Sequence, residues 1–142
     1  MTAKQLSVFI ENRKGRLSEV LEVLKENNVN ILSMSLADTT EYGLLRLIVN
    51  NPELGKQKLV EKGFSSLLSD VLILKIPHVA GSLQQLLKEI DGADVNIEYM
   101  YGLSIDKNEA YVVVKPSDAN KTAKVLETNG IETLLPEQLI NF

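Results

Sequence analysis

Leu6-Ser7-Val8-Phe9-Ile10-Glu11-Asn12-Arg13-Lys14-Gly15-Arg16-Leu17 returns 66 residues later as Leu72-Ile73-Leu74-Lys75-Ile76-Pro77-His78-Val79-Ala80-Gly81-Ser82-Leu83. In each stretch alternate apolar residues (Leu6, Val8, Ile10; Leu72, Leu74, Ile76) predict a strand. A short loop with a glycine follows. Beyond it, Leu17, Val20, Leu21 and Leu24, and then Leu83, Leu86, Leu87 and Ile90, recur at i, i+3, i+4 and i+7, which lays one apolar stripe along a helix. The match continues at the same offset: Val29-Asn30-Ile31 meets Val95-Asn96-Ile97, and Met34 meets Met100. One inserted residue then brings Gly63 onto Gly130. Ordered matches on a glycine, a helix face and a strand entry mark two copies of one unit, 1–69 and 70–142, divided near Asp70.

The rest of each copy reads in parallel. The helices end at Asn27-Asn28 and Asp91-Gly92, and Val-Asn-Ile starts a second strand in both. Leu44 to Val49 and Ala110 to Val114 supply a third strand, preceded by polar turns at Tyr42-Gly43 and at Asp106 to Asn108. Second helices are expected over Pro52–Lys62 and Ser117–Thr128, the latter capped by Ser117 or Asp118. Short strands at Ser65–Leu68 and Glu132–Leu135 close the units. Strand, helix, strand, strand, helix, strand is the split βαβ order, so the fold is α+β: two tandem ferredoxin-like βαββαβ units, each an antiparallel sheet with both helices on one face. The third strands are apolar on both sides, and Tyr99, Tyr101 and Leu103 share one side of the second strand of the second copy. A sheet face open to water is polar at alternate positions, so these faces are expected to be buried, by the sister repeat or by a second chain.

Composition removes several function classes. The 142 residues are 44% apolar and 24% charged with net charge −4, and the 15 Lys and Arg form no basic stripe, which argues against nucleic acid. With no cysteine there is no disulfide, thiolate metal site or cysteine nucleophile, a composition that fits a reducing cytoplasm. The N-terminal apolar run is broken by Glu11, Asn12, Arg13 and Lys14, which is neither a signal peptide nor a membrane span. No nucleophile and base recur in both copies, and the single histidine, His78, cannot serve two equivalent sites. An acylphosphatase-like reading of Arg13 with Asn30 finds Val79 in the corresponding place of the second copy. No catalytic residue, metal or cofactor is expected.

The loops between first strand and first helix are the candidate site. A helix start exposes unpaired amides and a partial positive charge, and a glycine lets a ligand approach the backbone, so Gly15 and Gly81 head potential anion sites. Arg13, Lys14 and Arg16 read as a solvated basic patch that favours an anion. Asn30 and Asn96, at the head of the second strands, offer a donor and an acceptor each; they serve either a ligand or the backbone of the turn. His78 likewise is either a ligand contact or a loop residue without a partner.

Strand, polar residue, two residues, Gly-x-Leu, helix, then Val-Asn-Ile resembles the ACT domain, a βαββαβ module that places metabolic enzymes under amino-acid control. Ile10 to Leu17 is especially similar to the loop of the serine-responsive ACT domain of phosphoglycerate dehydrogenases. The resemblance implies that the loop residue (Asn12; His78 in the second copy) and the strand asparagine (Asn30; Asn96) contact an effector across an interface between two ACT units. Around them it implies a ligand-binding set of Arg13, Lys14, Gly15, Leu17 and Ile31, with Val79, Ala80, Gly81, Leu83 and Ile97 in the second copy. The sequence departs from the family pattern in having Asn12 and His78 where aspartate is frequent, and Lys14 and Ala80 where proline is frequent. The expected protein is a non-catalytic, cytoplasmic, homodimeric regulatory module that binds a free amino acid and acts on a metabolic enzyme. The alternative is an ACT protein that dimerises or docks on an enzyme without an effector.

Overall fold

The computed structural model describes residues 2–38, 41–103 and 109–141. In chain order the elements are β1 (Ala3–Glu11), α1 (Arg16–Glu26), β2 (Ile31–Asp38), β3 (Tyr42–Val49), α2 (Pro52–Glu61), β4 (Ser65–Pro77), α3 (Ser82–Gly92), β5 (Ile97–Leu103), β6 (Glu109–Pro116), α4 (Ala119–Thr128), β7 (Glu132–Thr133) and α5 (Pro136–Leu139). This is the expected βαββαβ order, read twice. The chain forms two compact units, Lys4–Ser69 with Glu137–Phe142, and Asp70–Pro136 with Met1–Ala3.

In the first unit β3 lies between β1 and β2, antiparallel to both, and β4 is the other neighbour of β1. Leu6, Val8 and Ile10 of β1 pack with Leu45, Leu47 and Val49 of β3 against Val20, Val23 and Leu24 of α1 and Leu59 of α2. Gly55 of α2 is what lets the helix sit this close: a Cβ there would lie 3.1 Å from Leu6 Cδ2 and 3.4 Å from Leu24 Cδ2. In the second unit β6 lies between β4 and β5, antiparallel to both, and β7 also pairs with β4. Leu72, Leu74, Ile76, Val112 and Val114 meet Leu86 and Ile90 of α3 and Leu126 of α4.

Several boundaries differ from expectation. Tyr42 and Gly43 belong to β3 and not to a turn, because their backbones pair with Glu11 and Ile10 of β1. The turn expected at Asp106 to Asn108 lies outside the described residues. The strands expected to close one copy and open the next are a single strand, β4, since no Gly or Pro interrupts Ser65 to Ile76. The last strand is shorter than expected, ending at Thr133, and is followed by Pro136 and the unforeseen α5, whose Leu139 is buried. The cap of α4 is Asp118, whose carboxylate accepts from the Lys121 amide at 3.0 Å.

The sheet faces turned away from the helices are mixed. Ile48, Ile73 and Val113 are fully buried although they belong to neither helix-side cluster. Phe9 and Tyr42, by contrast, stay exposed and pack edge to face with centroids 6.1 Å apart.

Candidate functional site

Gly15 and Gly81 hold the same conformation, φ 90° and φ 89°, the left-handed region that glycine enters without a Cβ penalty. Each is the residue preceding its helix, and neither helix has a side-chain cap. The Glu19 and Gln85 amides turn back onto the Gly15 and Gly81 carbonyls at 3.0 Å. One step earlier, Arg16 N–H donates to the Arg13 carbonyl at 3.4 Å and Ser82 N–H to the Val79 carbonyl at 3.1 Å. Between these bonds lie the amides of Leu17 and Ser18, and of Leu83 and Gln84, which have no backbone acceptor because no helical turn precedes them. They are the donors an anion would meet.

In the second unit an open hollow of about 510 Å³ lies against this loop. Residues 76–81, Leu83, Gln84 and Ala110 line it, so His78, Val79, Ala80, Gly81 and Leu83 lie together around one hollow. Asn96 and Ile97 do not line it. The sheet explains why: β1 and β2 are both antiparallel to β3 and so parallel to each other. Glu11 pairs with Tyr42 and Asp38 with Gly43, whereas Ile31 pairs with Val49, six residues farther along β3 and thus about 20 Å away. Asn12 and Asn30 therefore occupy opposite ends of one sheet. The same registers, Pro77 with Glu109 and Ile97 with Pro116, separate His78 from Asn96.

Asn30 and Asn96 are held through their backbones. Asn30 N–H donates to Asn50 Oδ1 at 2.9 Å and its carbonyl accepts from Asn50 N–H at 3.1 Å. Asn96 N–H donates to Ser117 Oγ at 3.0 Å and its carbonyl accepts from Ser117 N–H at 2.7 Å. This clasp joins the head of the second strand to the tail of the third in both units and leaves both asparagines exposed. A β-bulge follows at once, between Ile31 and Ser33 and between Ile97 and Tyr99.

The basic patch expected from Arg13, Lys14 and Arg16 is largely neutralised. Arg13 Nε donates to Glu11 at 3.0 Å. Arg16 lies 4.1 Å above the Phe64 ring with its side chain only 14% exposed, and it pairs with Glu19 at 2.6 Å and Glu11 at 3.9 Å. Its aliphatic stem and planar head suit that half-buried place. Sequence reading missed Arg16, Asn50 and Ser117 as organising residues. The last two had a legible signal, since they correspond under the one-residue insertion that also aligns Gly63 with Gly130.

On the far face of β4 and β6, Lys75 donates to Glu109 at 2.8 Å and lies 3.5 Å from Glu132, while Tyr111 Oη donates to Glu109 at 2.8 Å. The hydrogen bond from Lys75, then that from Tyr111, holds the Glu109 carboxyl below its ordinary 4.5, and the bond to Glu109 raises the Lys75 ammonium above 10.5. Glu109 thus favours the fold above pH 4.5 and loses that contribution as pH falls through its lower folded value; Lys75 favours it below pH 10.5 and loses it as pH rises through its higher one. Because these groups are solvent-screened, Glu109→Gln is expected to lower the melting temperature only slightly at pH 7. That small difference should vanish in melts recorded well below pH 4.5.

The family described as an ACT domain pair matches residues 1–142, the whole chain. The chain belongs to the ACT domain pair family. Among solved structures, this ACT domain pair is similar to protein BT0572 from Bacteroides thetaiotaomicron, at 37% identity over 100% of this chain and 98% of that one, with a TM-score of 0.94. The ligand-free regulatory subunit of aspartate kinase from Thermus thermophilus shares the fold at 12% identity, covering 88% and 90% of the two chains with a TM-score of 0.64. Clostridium acetobutylicum aspartate kinase does so at 12% identity and a TM-score of 0.53, over 89% of this chain and 32% of that one. A comparison with curated proteins returned no match. No helix among the described residues is long and apolar enough to cross a membrane.

Proposed function

We propose that this ACT domain pair is a non-catalytic, cytoplasmic regulatory module that binds a free amino acid at the loop between the first strand and first helix of a unit and acts, as a homodimer, on a metabolic enzyme. The observation that carries the reading is the left-handed glycine before an uncapped helix in both units, which leaves two free amides at each helix start. Family membership supports it, as does the fold shared with an aspartate kinase regulatory subunit. The carboxylate would take those amides. The ammonium needs an acceptor, and since Asn30 or Asn96 lies about 20 Å from the loop of its own unit, that acceptor would come from a second copy of the chain. The edge strand β2 favours such pairing. It runs for eight residues without Lys, Arg or Pro and exposes Met34 and Leu36, the kind of edge that isolated proteins blunt.

A thermal-shift screen of the twenty amino acids tests the reading. At ten times its dissociation constant, the effector is expected to stabilise the fold by about 1.4 kcal/mol, and amino acids that bind more weakly correspondingly less. If none shifts the transition and calorimetry detects no heat at millimolar ligand, the module docks on its partner without an effector. Sedimentation at micromolar concentration is expected to show a dimer; a monomer whose stability is indifferent to dilution overturns that half of the proposal.

A further inference from the structure

The two loops have the same backbone and different chemistry. In the first unit Glu11 stands at the mouth of the loop with its side chain 65% exposed, bonded to Arg13 and close to Arg16, so two of the loop's three cations already have a carboxylate partner and Lys14 is the one that remains. An incoming carboxylate meets a carboxylate. In the second unit Pro77 takes the place of Glu11, Val79 that of Arg13 and Ala80 that of Lys14. The hollow against this loop is walled by Ile76, Leu83, Val79 and Ala110, and its polar side chains, His78 and Gln84, carry no carboxylate, ammonium or guanidinium. The nearest such charges along the strands, Lys75 and Glu109, alternate onto the opposite face and pair with each other.

We infer that the second unit is the one that binds, and that its effector is an amino acid with a small, uncharged aliphatic side chain. The inference rests on the effector reading above and narrows it. Burying an aspartate or lysine side chain against Ile76, Leu83 and Ala110 would strip its water without supplying a counter-charge, whereas an aliphatic group gains from leaving water. The free amides of Leu83 and Gln84 remain for the carboxylate, with no protein anion beside them.

Calorimetric titration of the full chain with L-alanine, L-valine, L-leucine, L-aspartate and L-lysine reads the proposal. One site per chain is expected, with an aliphatic amino acid at least tenfold tighter than aspartate or lysine. Val79→Asp, at a position 69% exposed and so without consequence for folding, places an anion beside the loop and should weaken that binding at least tenfold. Ala110→Leu should do the same by filling the hollow, in protein whose melting curve shows it folded. Tightest binding of a charged amino acid, or binding that persists unchanged in Val79→Asp, overturns this inference while leaving the effector reading intact. Silence from all twenty amino acids removes the effector reading itself, and this inference with it.

Discussion

Ile90→Ala is expected to cost about 2–5 kcal/mol of folding stability, read as a lowered midpoint in urea with little change in slope. Ile90 is fully buried in the last turns of α3, within the cluster that also holds Leu72, Leu74, Leu86 and Val114. Truncating it removes three side-chain carbons from a close-packed site that strands on one side and a helix on the other keep from collapsing. Lys88→Ala, two residues earlier on the same helix but exposed, is expected to stay within about 0.5 kcal/mol of the parent. A loss below about 1 kcal/mol for Ile90→Ala would mean that α3 does not lie on β4 and β6 as described. The consequence reaches function, because α3 is the helix whose first turn carries the free amides of Leu83 and Gln84.

The repeat made most of the architecture legible. A stripe such as Leu83, Leu86, Leu87 and Ile90 can only be a helix buried on one side, and finding it twice, beside Leu-x-Val-x-Ile and then Leu-x-Leu-x-Ile, fixed the βαββαβ order without any tertiary information. Pairing energies were not legible in the same way. Tyr42-Gly43 has turn composition, but its ladder bonds to Ile10 and Glu11 outweigh that local preference. The merging of two expected strands into β4 was foreshadowed by the absence of Gly and Pro from Ser65 to Ile76, although Ser69-Asp70 has turn composition. At the candidate site, the loop residues around Gly81 could be gathered from contiguous sequence and do line one hollow. Asn96 could not be placed against them, because its distance from His78 depends on which strands run parallel, a property of sheet order that spacing does not encode. Charge pairing was equally hidden: Glu11, Arg13, Arg16 and Glu19 look like solvated surface in one dimension, yet Arg16 is stacked on Phe64, 48 residues away in the chain.

Gly81→Val is expected to lower stability by about 1–3 kcal/mol and to weaken effector binding as well. At φ 89° an L-residue brings its Cβ against its own backbone, and a β-branched side chain has the fewest ways to relieve the contact. Crowding by neighbours is not the cause, since a Cβ built at Gly81 meets nothing within 4 Å. That distinction makes the prediction sharp. If conformation alone sets the cost, Gly81→Asn should be the mildest substitution, because asparagine tolerates the left-handed region, with Gly81→Ala between and Gly81→Val the worst. A steric cause would instead rank the three by volume and make asparagine worse than alanine. Gly15, at φ 90° with the same empty surroundings, should give the same ordering in the first unit. The effect on binding follows from the same dihedral angle: a chain that relaxes to negative φ at Gly81 turns the first helical amides away from the hollow they border. Denaturant midpoints of the three Gly81 variants, set beside their calorimetric titrations, therefore test the backbone of the site independently of the side chains around it.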